Sequence, residues 1–244
     1  MFNEPEQLQR ILSVDDDPQA LRLITYTLER EHFEVVTATS GENALNYIQR
    51  HGLPHLAIVD YNMPPGMSGP EFCRIVRSYC DLPIIVLSAV EDVDKIVASL
   101  EEYADDYIIK PFNPAELAAR VQRVLRRVGS FAYTLNAQTV VDQRLIVDFA
   151  GHQVIVDGEA ANLTPIESKL LYILMRNAGR TVTTNFLLRR IWPVENAQED
   201  RLHVHIHRLR RKVEANPTQP YYILSQRGQG YSFPMRAETQ RRIG

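Results

Sequence analysis

Residues Leu56-Ala57-Ile58-Val59-Asp60 read as a short strand that ends abruptly on a carboxylate. Leu56 to Val59 is apolar at every position, so both faces of the strand are covered, as in a parallel sheet. Asp60 then stands at the strand's carboxyl end, where open α/β sheets place their ligand crevice. Three other apolar runs end on polar residues. Arg10-Ile11-Leu12-Ser13-Val14 runs into Asp15-Asp16-Asp17, Pro83-Ile84-Ile85-Val86-Leu87 into Ser88, and Tyr107-Ile108-Ile109 into Lys110-Pro111. Aligned in a parallel sheet, these ends bring together several carboxylates, a hydroxyl and an ammonium.

Helical patterns separate the strands. Pro18 to Glu31 carries Leu21, Ile24, Thr25 and Leu28 on one face, Gly41 to Arg50 turns Ala44, Leu45 and Ile48 inward, and a third helix runs through Phe72, Ile75 and Val76. Val93 to Leu100 reads as a fourth helix, and Asn113-Pro114 opens a fifth with a cap and a first-turn proline. With Glu34 to Ala38 as a further strand, five strands alternate with five helices. That order implies a doubly wound parallel α/β sheet.

Clustered carboxylates repel one another unless a cation neutralises them, and hard oxygen ligands with room for water suit Mg²⁺. A lysine beside a carboxylate that gains a phosphoryl group pairs with the added charge, and a hydroxyl donates to a phosphoryl oxygen. The chemistry this suggests is phosphoryl acceptance by Asp60, with Mg²⁺ and Lys110 balancing charge. Taken singly, an Asp after a strand is a turn residue or helix cap, and Asp17 before Pro18 reads that way. A turnover phosphatase or phosphotransferase is the rival from another class. Such enzymes usually carry a second acid–base carboxylate two residues after the nucleophile, where this chain has Asn62.

The second half of the 244-residue chain has a different character. Residues 1–127 hold 20 Asp and Glu against 12 Lys and Arg, whereas residues 128–244 hold 10 against 15. An acidic half joined to a basic half suggests that the second half meets a polyanion. Leu145 to Val147, Gln153 to Val156 and Ala161 to Leu163 read as an antiparallel meander with turns at Gly151 and Asp157-Gly158. Thr164-Pro165-Ile166-Glu167 is a complete helix-start signal. Thr184 reads as the cap of a second helix, and a third covers about Gln198 to Ala215. In that third helix Leu202, Ile206, Leu209 and Val213 make one buried stripe. Arg201, His203, His205, His207, Arg208, Arg210, Arg211 and Lys212 stand off it, as suits a helix in a DNA major groove. A hairpin follows around Gln226-Arg227-Gly228-Gln229-Gly230, whose arginine can reach phosphates or the minor groove. His203 and His207 share a helix face, but no acidic or cysteine partner accompanies them as a metal site. Cys73 and Cys80 lack a second pair for zinc and read as thiols in a reducing compartment. With no apolar run long enough to span a bilayer and no signal peptide, the chain reads as cytoplasmic.

Asp15-Asp16, Asp60, Ser88 and Lys110-Pro111 resemble the signature of a bacterial response-regulator receiver domain, of the flavodoxin- or CheY-like fold. The resemblance implies that a sensor histidine kinase phosphorylates Asp60. It implies that Asp15, Asp16 and Asp60 hold Mg²⁺ with the backbone carbonyl of Asn62, Asp16 being favoured over Asp15 as a direct ligand, and that Ser88 and Tyr107 form the switch pair. Ala104-Asp105-Asp106-Tyr107 and Glu116, with Arg120 and Arg123, match the face on which such receivers dimerise, built from the fourth helix, fifth strand and fifth helix. The chain departs from the family pattern in three places. The loop Pro64-Pro65-Gly66-Met67-Ser68-Gly69 holds one extra residue, Tyr103 replaces a frequent glycine, and Ile96 beside Lys95 stands where a basic residue is expected.

The second half resembles the winged helix-turn-helix effector of the OmpR/PhoB family. Leu163-Thr164-Pro165-Ile166-Glu167, Val204 to Lys212 and Arg227-Gly228-Gln229-Gly230-Tyr231 carry the match. It implies a dimer on tandem promoter half-sites, with Pro193 to Ala197 near RNA polymerase. Val204, His207 and Arg208 would face bases, while Trp192, Arg201, His205, Arg227 and Tyr231 would face phosphates. Arg201 and His203 depart from residues common at those places, so no DNA sequence is carried over. The expected organisation is a receiver over 1–127, a linker over 128–138, an α+β winged-helix domain over 139–236 and a tail over 237–244. A constitutive DNA-binding regulator, with the receiver only a dimer scaffold, is the alternative within the same family.

Overall fold

The computed structural model describes residues 8–63, 66–89, 97–98, 100, 102–128, 136–192 and 198–235. The chain forms two compact units, with the main break after Val128.

The first unit is a five-stranded parallel sheet of order β2-β1-β3-β4-β5. Its strands are β1 (Arg10–Val14), β2 (Glu34–Ala38), β3 (Leu56–Asp60), β4 (Ile84–Ser88) and β5 (Asp106–Ile109). Every residue of β3 and β4 is buried, as their unbroken apolar runs require. The strand order reverses direction after β2, so right-handed crossovers send the helix between β1 and β2 to one face and the helices that follow β2 and β3 to the other. One face packs Ile11, Ile58, Ile85 and Leu87 against Ile24 and Leu28 of the helix Pro18–Glu29 and Leu117 and Val121 of the helix Pro114–Val128. The helices Gly41–His51 and Gly69–Tyr79 complete the elements of this unit that are described in full.

The boundaries read from sequence hold to within two residues at the helix ends. Asp17 caps the first helix by accepting the Gln19 N–H at 2.8 Å, and Asn113 caps the last, accepting from Ala115 at 2.8 Å. On the first helix Thr27 is buried and Thr25 only half-buried, the reverse of the expected face, and the Thr27 hydroxyl is satisfied by donating to the Leu23 carbonyl at 2.7 Å. Residues 97, 98, 100 and 102 are helical; most of the expected fourth helix, with Lys95 and Ile96, lies outside the described residues.

The second unit begins with an antiparallel sheet of order β6-β7-β8-β9, made of Thr139–Val140, Leu145–Asp148, Gln153–Val156 and Glu159–Asn162. The meander therefore has four strands rather than three. The two-residue β6 is too short to show alternation, and the last strand starts directly after the Asp157-Gly158 turn. Among the described residues three helices follow, Pro165–Arg176, Thr184–Ile191 and Glu199–Val213. A second sheet, β10-β12-β11, joins Thr181–Thr183 to the hairpin of Leu224–Gln226 and Gly230–Ser232. The expected cap at Thr184 is displaced by one residue. Because β10 runs straight into the helix, Thr183 caps it instead, accepting the Phe186 N–H at 3.2 Å.

The Thr164 signal forms a full capping box. Glu167 accepts the Thr164 N–H at 2.8 Å, and Thr164 Oγ1 accepts the Glu167 N–H at 3.4 Å. The same buried carboxylate receives the Lys212 ammonium at 2.6 Å, which ties the first helix of this unit to the third. Burial alone would push the Glu167 carboxyl up; Lys212 and Thr164 override it and hold the carboxyl below its ordinary value. A depressed carboxyl stabilises the fold above its unfolded pKa, and that contribution is lost as pH falls through the folded value. The resistance of the second unit to denaturant is therefore expected to fall as pH drops below the ordinary glutamate range. Glu167→Gln should flatten that acid limb.

Candidate functional site

The crevice forms where the strand order reverses, at the carboxyl ends of β1 and β3. Val14 pairs with Val59, which sets Asp15 beside Asp60; Asp60 pairs with Leu87, and Ser88 with Ile109, which brings Ser88 and Lys110 alongside. Asp15 is 1% exposed and Asp60 6%, while Asp16 is exposed. Lys110 donates to Asp15 Oδ2 at 2.7 Å and lies 3.2 Å from Asp60 Oδ2. The other oxygens are partnered by backbone. Asp15 Oδ1 accepts the Asp17 N–H at 3.0 Å, and Asp60 Oδ1 the Asn62 N–H at 3.4 Å.

Burial pushes the Asp60 carboxyl above its ordinary value, against the pull of Lys110. Burial alone would lower the Lys110 ammonium, but Asp15 and Asp60 hold it above its ordinary value. Carboxylate oxygens of Asp15, Asp16 and Asp60 lie within 4.8 Å of one another. Among the described residues, no other group of three or more His, Cys, Asp or Glu is close enough to share an ion. Three carboxylates face one ammonium here, so the donor set is all hard oxygen and carries surplus negative charge. Both properties fit a divalent cation of the Mg²⁺ type. Ser88 and Tyr107 are buried on adjacent strands, Tyr107 opposite Val86.

The loop after Asp60 returns close to the phosphoacceptor candidate. Gly69 opens the next helix so near β3 that a Cβ there would collide with the Asp60 carbonyl oxygen. In the sequence Gly69 is simply the last residue of a proline- and glycine-rich loop; nothing in a single sequence separates a turn glycine from one required by close backbone approach.

The acidic face expected to mediate dimerisation is knitted within the chain. Asp106 is buried and accepts from Arg120 at 3.0 Å and Arg123 at 2.6 Å, and Arg120 also reaches Glu116 at 2.7 Å. Asp105 takes Arg127 at 2.8 Å, a partner the sequence did not single out.

On the helix Glu199–Val213, Leu202, Ile206, Leu209 and Val213 are buried, as their spacing requires. Arg201, Val204, His207, Arg208 and Arg211 stand exposed on the opposite side. The remaining basic residues are not equivalent to these. Arg210 donates to the Ile223 carbonyl at 2.6 Å and to Ser225 Oγ at 2.9 Å, and Lys212 is held by Glu167 and the Asn162 carbonyl. The basic remainder of the helix thus splits into outward cations and structural ties. Trp192 is 6% exposed, lies under the Arg201 guanidinium, 5.6 Å from the ring centre, and packs against His205. Tyr231 is 5% exposed, and its hydroxyl lies 2.6 Å from His203 Nδ1. Arg227 projects from the exposed tip of the hairpin.

The family described as response regulator receiver domain matches residues 11–122, and the family described as transcriptional regulatory protein, C terminal, matches residues 158–233. The DNA-binding response regulator MtrA of Mycolicibacterium smegmatis is 39% identical over 224 residues, 91% of this chain and 96% of that protein. The transcriptional regulatory protein KdpE of Mycobacterium tuberculosis is 37% identical over 224 residues, 91% of this chain and 98% of that one. The solved structure of the response regulator DrrB of Thermotoga maritima, described as an OmpR/PhoB homologue, is 30% identical, with 93% of this chain and 100% of that chain covered and a TM-score of 0.46. Among the described residues, no helix is long and apolar enough to cross a membrane.

Three substitutions test this packing. Gly69→Ala forces a shift of backbone beside Asp60 and is expected to lower unfolding stability by about 1–3 kcal/mol. Arg210→Ala leaves the Ile223 carbonyl without its charged donor and should cost about 1–3 kcal/mol. Arg211→Ala, on the exposed side, should stay within about 0.5 kcal/mol. Denaturant titration of the full chain reads all three.

Proposed function

Because the chain belongs to the OmpR/PhoB family of two-component response regulators, we propose that Asp60 accepts a phosphoryl group from a sensor histidine kinase and that the modified chain dimerises on promoter DNA. One observation carries the reading: a buried carboxylate at the switch point of the sheet, bridged by Lys110 to Asp15 and flanked by Asp16. In the transfer, an Asp60 carboxylate oxygen attacks phosphorus, the P–N bond of the phosphohistidine breaks, and an acyl phosphate forms. Asp15, Asp16 and Asp60 with the backbone carbonyl of Asn62 would hold Mg²⁺, which when bound neutralises the carboxylates and the charge of the incoming group. Lys110 pairs with the new phosphoryl charge, and Ser88 donates a hydrogen bond to it. The movement of Ser88 opens space toward which Tyr107 turns, and the phosphoryl group shifts a pre-existing equilibrium rather than creating a new state.

The readout is dimerisation through the face that carries Asp105, Asp106, Glu116, Arg120 and Arg123. Since these charges are already paired within the chain, a dimer would exchange partners rather than add ion pairs, and exposed pairs contribute little singly. Two basic helices would then sit on two half-sites. Val204, His207 and Arg208 would face bases; Arg201, His205, Arg227 and the edges of Trp192 and Tyr231 would face phosphates. Pro193 to Ala197, proposed to lie near RNA polymerase, fall outside the described residues. The division proposed is a receiver over 1–127, a linker over 128–138, an effector over 139–236 and a tail over 237–244. In this reading the chain is a phosphoacceptor and transcription regulator of the cytoplasm, not a turnover enzyme.

Intact mass and oligomeric state with Mg²⁺ and acetyl phosphate test the proposal. Wild type is expected to gain a single phosphoryl adduct and shift to dimer, and Asp60→Asn to do neither. DNA binding that is intact with no adduct, from acetyl phosphate or from a cognate kinase, would favour the constitutive alternative. Sustained release of phosphate from small phosphoesters would revive the turnover-enzyme reading.

A further inference from the structure

The limb of the loop at residues 66–68 is held by two carboxylates on two different helices. Glu42, in the first turn of the helix Gly41–His51, accepts the Met67 N–H at 2.7 Å across 25 positions of sequence. Glu71, in the first turn of the next helix, accepts the adjacent Ser68 N–H at 2.8 Å and the Ser68 hydroxyl at 2.8 Å, while Ser68 Oγ accepts the Glu71 N–H at 3.3 Å. Two successive backbone N–H groups are thus bound by carboxylates from opposite sides. The fit around Glu42 is close on both flanks. Gly66 has φ +142, and a Cβ there would stand 3.1 Å from Glu42 Oε1; a Cβ on Gly41 would stand 2.8 Å from Met67 Cγ and Sδ. Its own backbone N–H, the Met67 N–H and the Ser40 hydroxyl hold the Glu42 carboxyl below its ordinary value.

The second anchor, Glu71, is local to its own helix start. Glu42 is the cross-chain one: it ties the limb of the loop that returns to β3 at Gly69 to the element that follows β2. The same loop begins at Asn62, whose N–H already rests on Asp60 Oδ1. The geometry points to Glu42 as a positioning residue for phosphoryl transfer at Asp60: by fixing Met67 it holds the limb whose Gly69, two residues on, closes against the Asp60 carbonyl, and so steadies the backbone that carries the Asp60 carboxylate. This rests on the phosphoacceptor reading above. A divalent cation that demands near-ideal octahedral geometry is sensitive to the placement of each oxygen ligand, including those held only indirectly. Glu42 touches neither the metal nor the phosphoryl group in this scheme; its effect passes through backbone.

The test is the Mg²⁺ dependence of phosphorylation by acetyl phosphate in the full chain, for wild type, Glu42→Ala and Glu42→Gln. Glu42→Ala is expected to raise the Mg²⁺ concentration for half-maximal rate by about three- to tenfold, while the rate at saturating Mg²⁺ stays within about twofold. Glu42→Gln, which keeps an acceptor oxygen, should restore most of the loss. Calorimetric titration with Mg²⁺ alone should show the same weakening, and amide exchange at Met67 should be faster in Glu42→Ala and near normal in Glu42→Gln. Faster Met67 exchange with unchanged Mg²⁺ affinity would reduce Glu42 to a merely structural tie and overturn the inference. So would an equal loss of rate at every Mg²⁺ concentration. If wild type takes no phosphoryl group at all, the phosphoacceptor reading fails, and the calorimetric comparison still decides whether Glu42 supports the cation site.

Discussion

The first unit is organised around an electrostatic imbalance. Asp15 and Asp60 are buried side by side, Asp16 is adjacent, and a single ammonium, that of Lys110, bridges the buried pair. Burying charge without full compensation is costly. The sheet can sustain it because every carboxylate oxygen of the buried pair has a donor or cation beside it. The residual negative charge makes the site receptive to a divalent cation, and an added phosphoryl group changes its balance. Strand order 2-1-3-4-5 is what makes the arrangement possible, since it places β1 and β3 side by side at the switch point with their ends level.

In the second unit the governing feature is how the third helix is held. Its apolar stripe enters the core, but its orientation also depends on polar ties at both flanks. Lys212 reaches Glu167 and the Asn162 carbonyl, Arg210 reaches the hairpin at Ile223, and His203 meets Tyr231. Glu214, one residue beyond the helix, accepts the N–H groups of Tyr221, Tyr222 and Ile223, and the Tyr222 hydroxyl donates to Asp142 at 2.9 Å. Helix and hairpin are therefore bonded as one piece.

What was legible in sequence divides along physical lines. Asp60, Lys110 and Ser88 could be placed because continuous apolar runs end on them, and the parallel sheet brings strand ends together without further information. The buried stripe of the third helix and the Thr164 capping box were equally plain, since both follow from local periodicity and local hydrogen bonding. Strands of two or three residues, such as β6 and β10, carry no period to detect and exist because a neighbouring strand pairs with them. Roles fixed by distant contacts were invisible for the same reason. Arg210 and Arg211 are adjacent and chemically identical, and only the fold distinguishes a tie to Ile223 from an exposed cation. Gly69 and Glu42 likewise acquire their roles from backbone that lies nine and 25 positions away.

The division of cations on the third helix bears on how salt would act on DNA binding. Of its five Lys and Arg residues, Arg210 and Lys212 already have oxygen partners inside the protein. Only cations that replace counterions condensed on DNA steepen the decline of affinity with ionic strength, by roughly one unit of logarithmic slope for each phosphate neutralised. The formal charge of this helix therefore overstates the ion release it can drive. In the proposed DNA-binding reading only the outward cations, Arg201, Arg208 and Arg211, remain available for that release, and the two tied cations contribute by holding the helix to its neighbours.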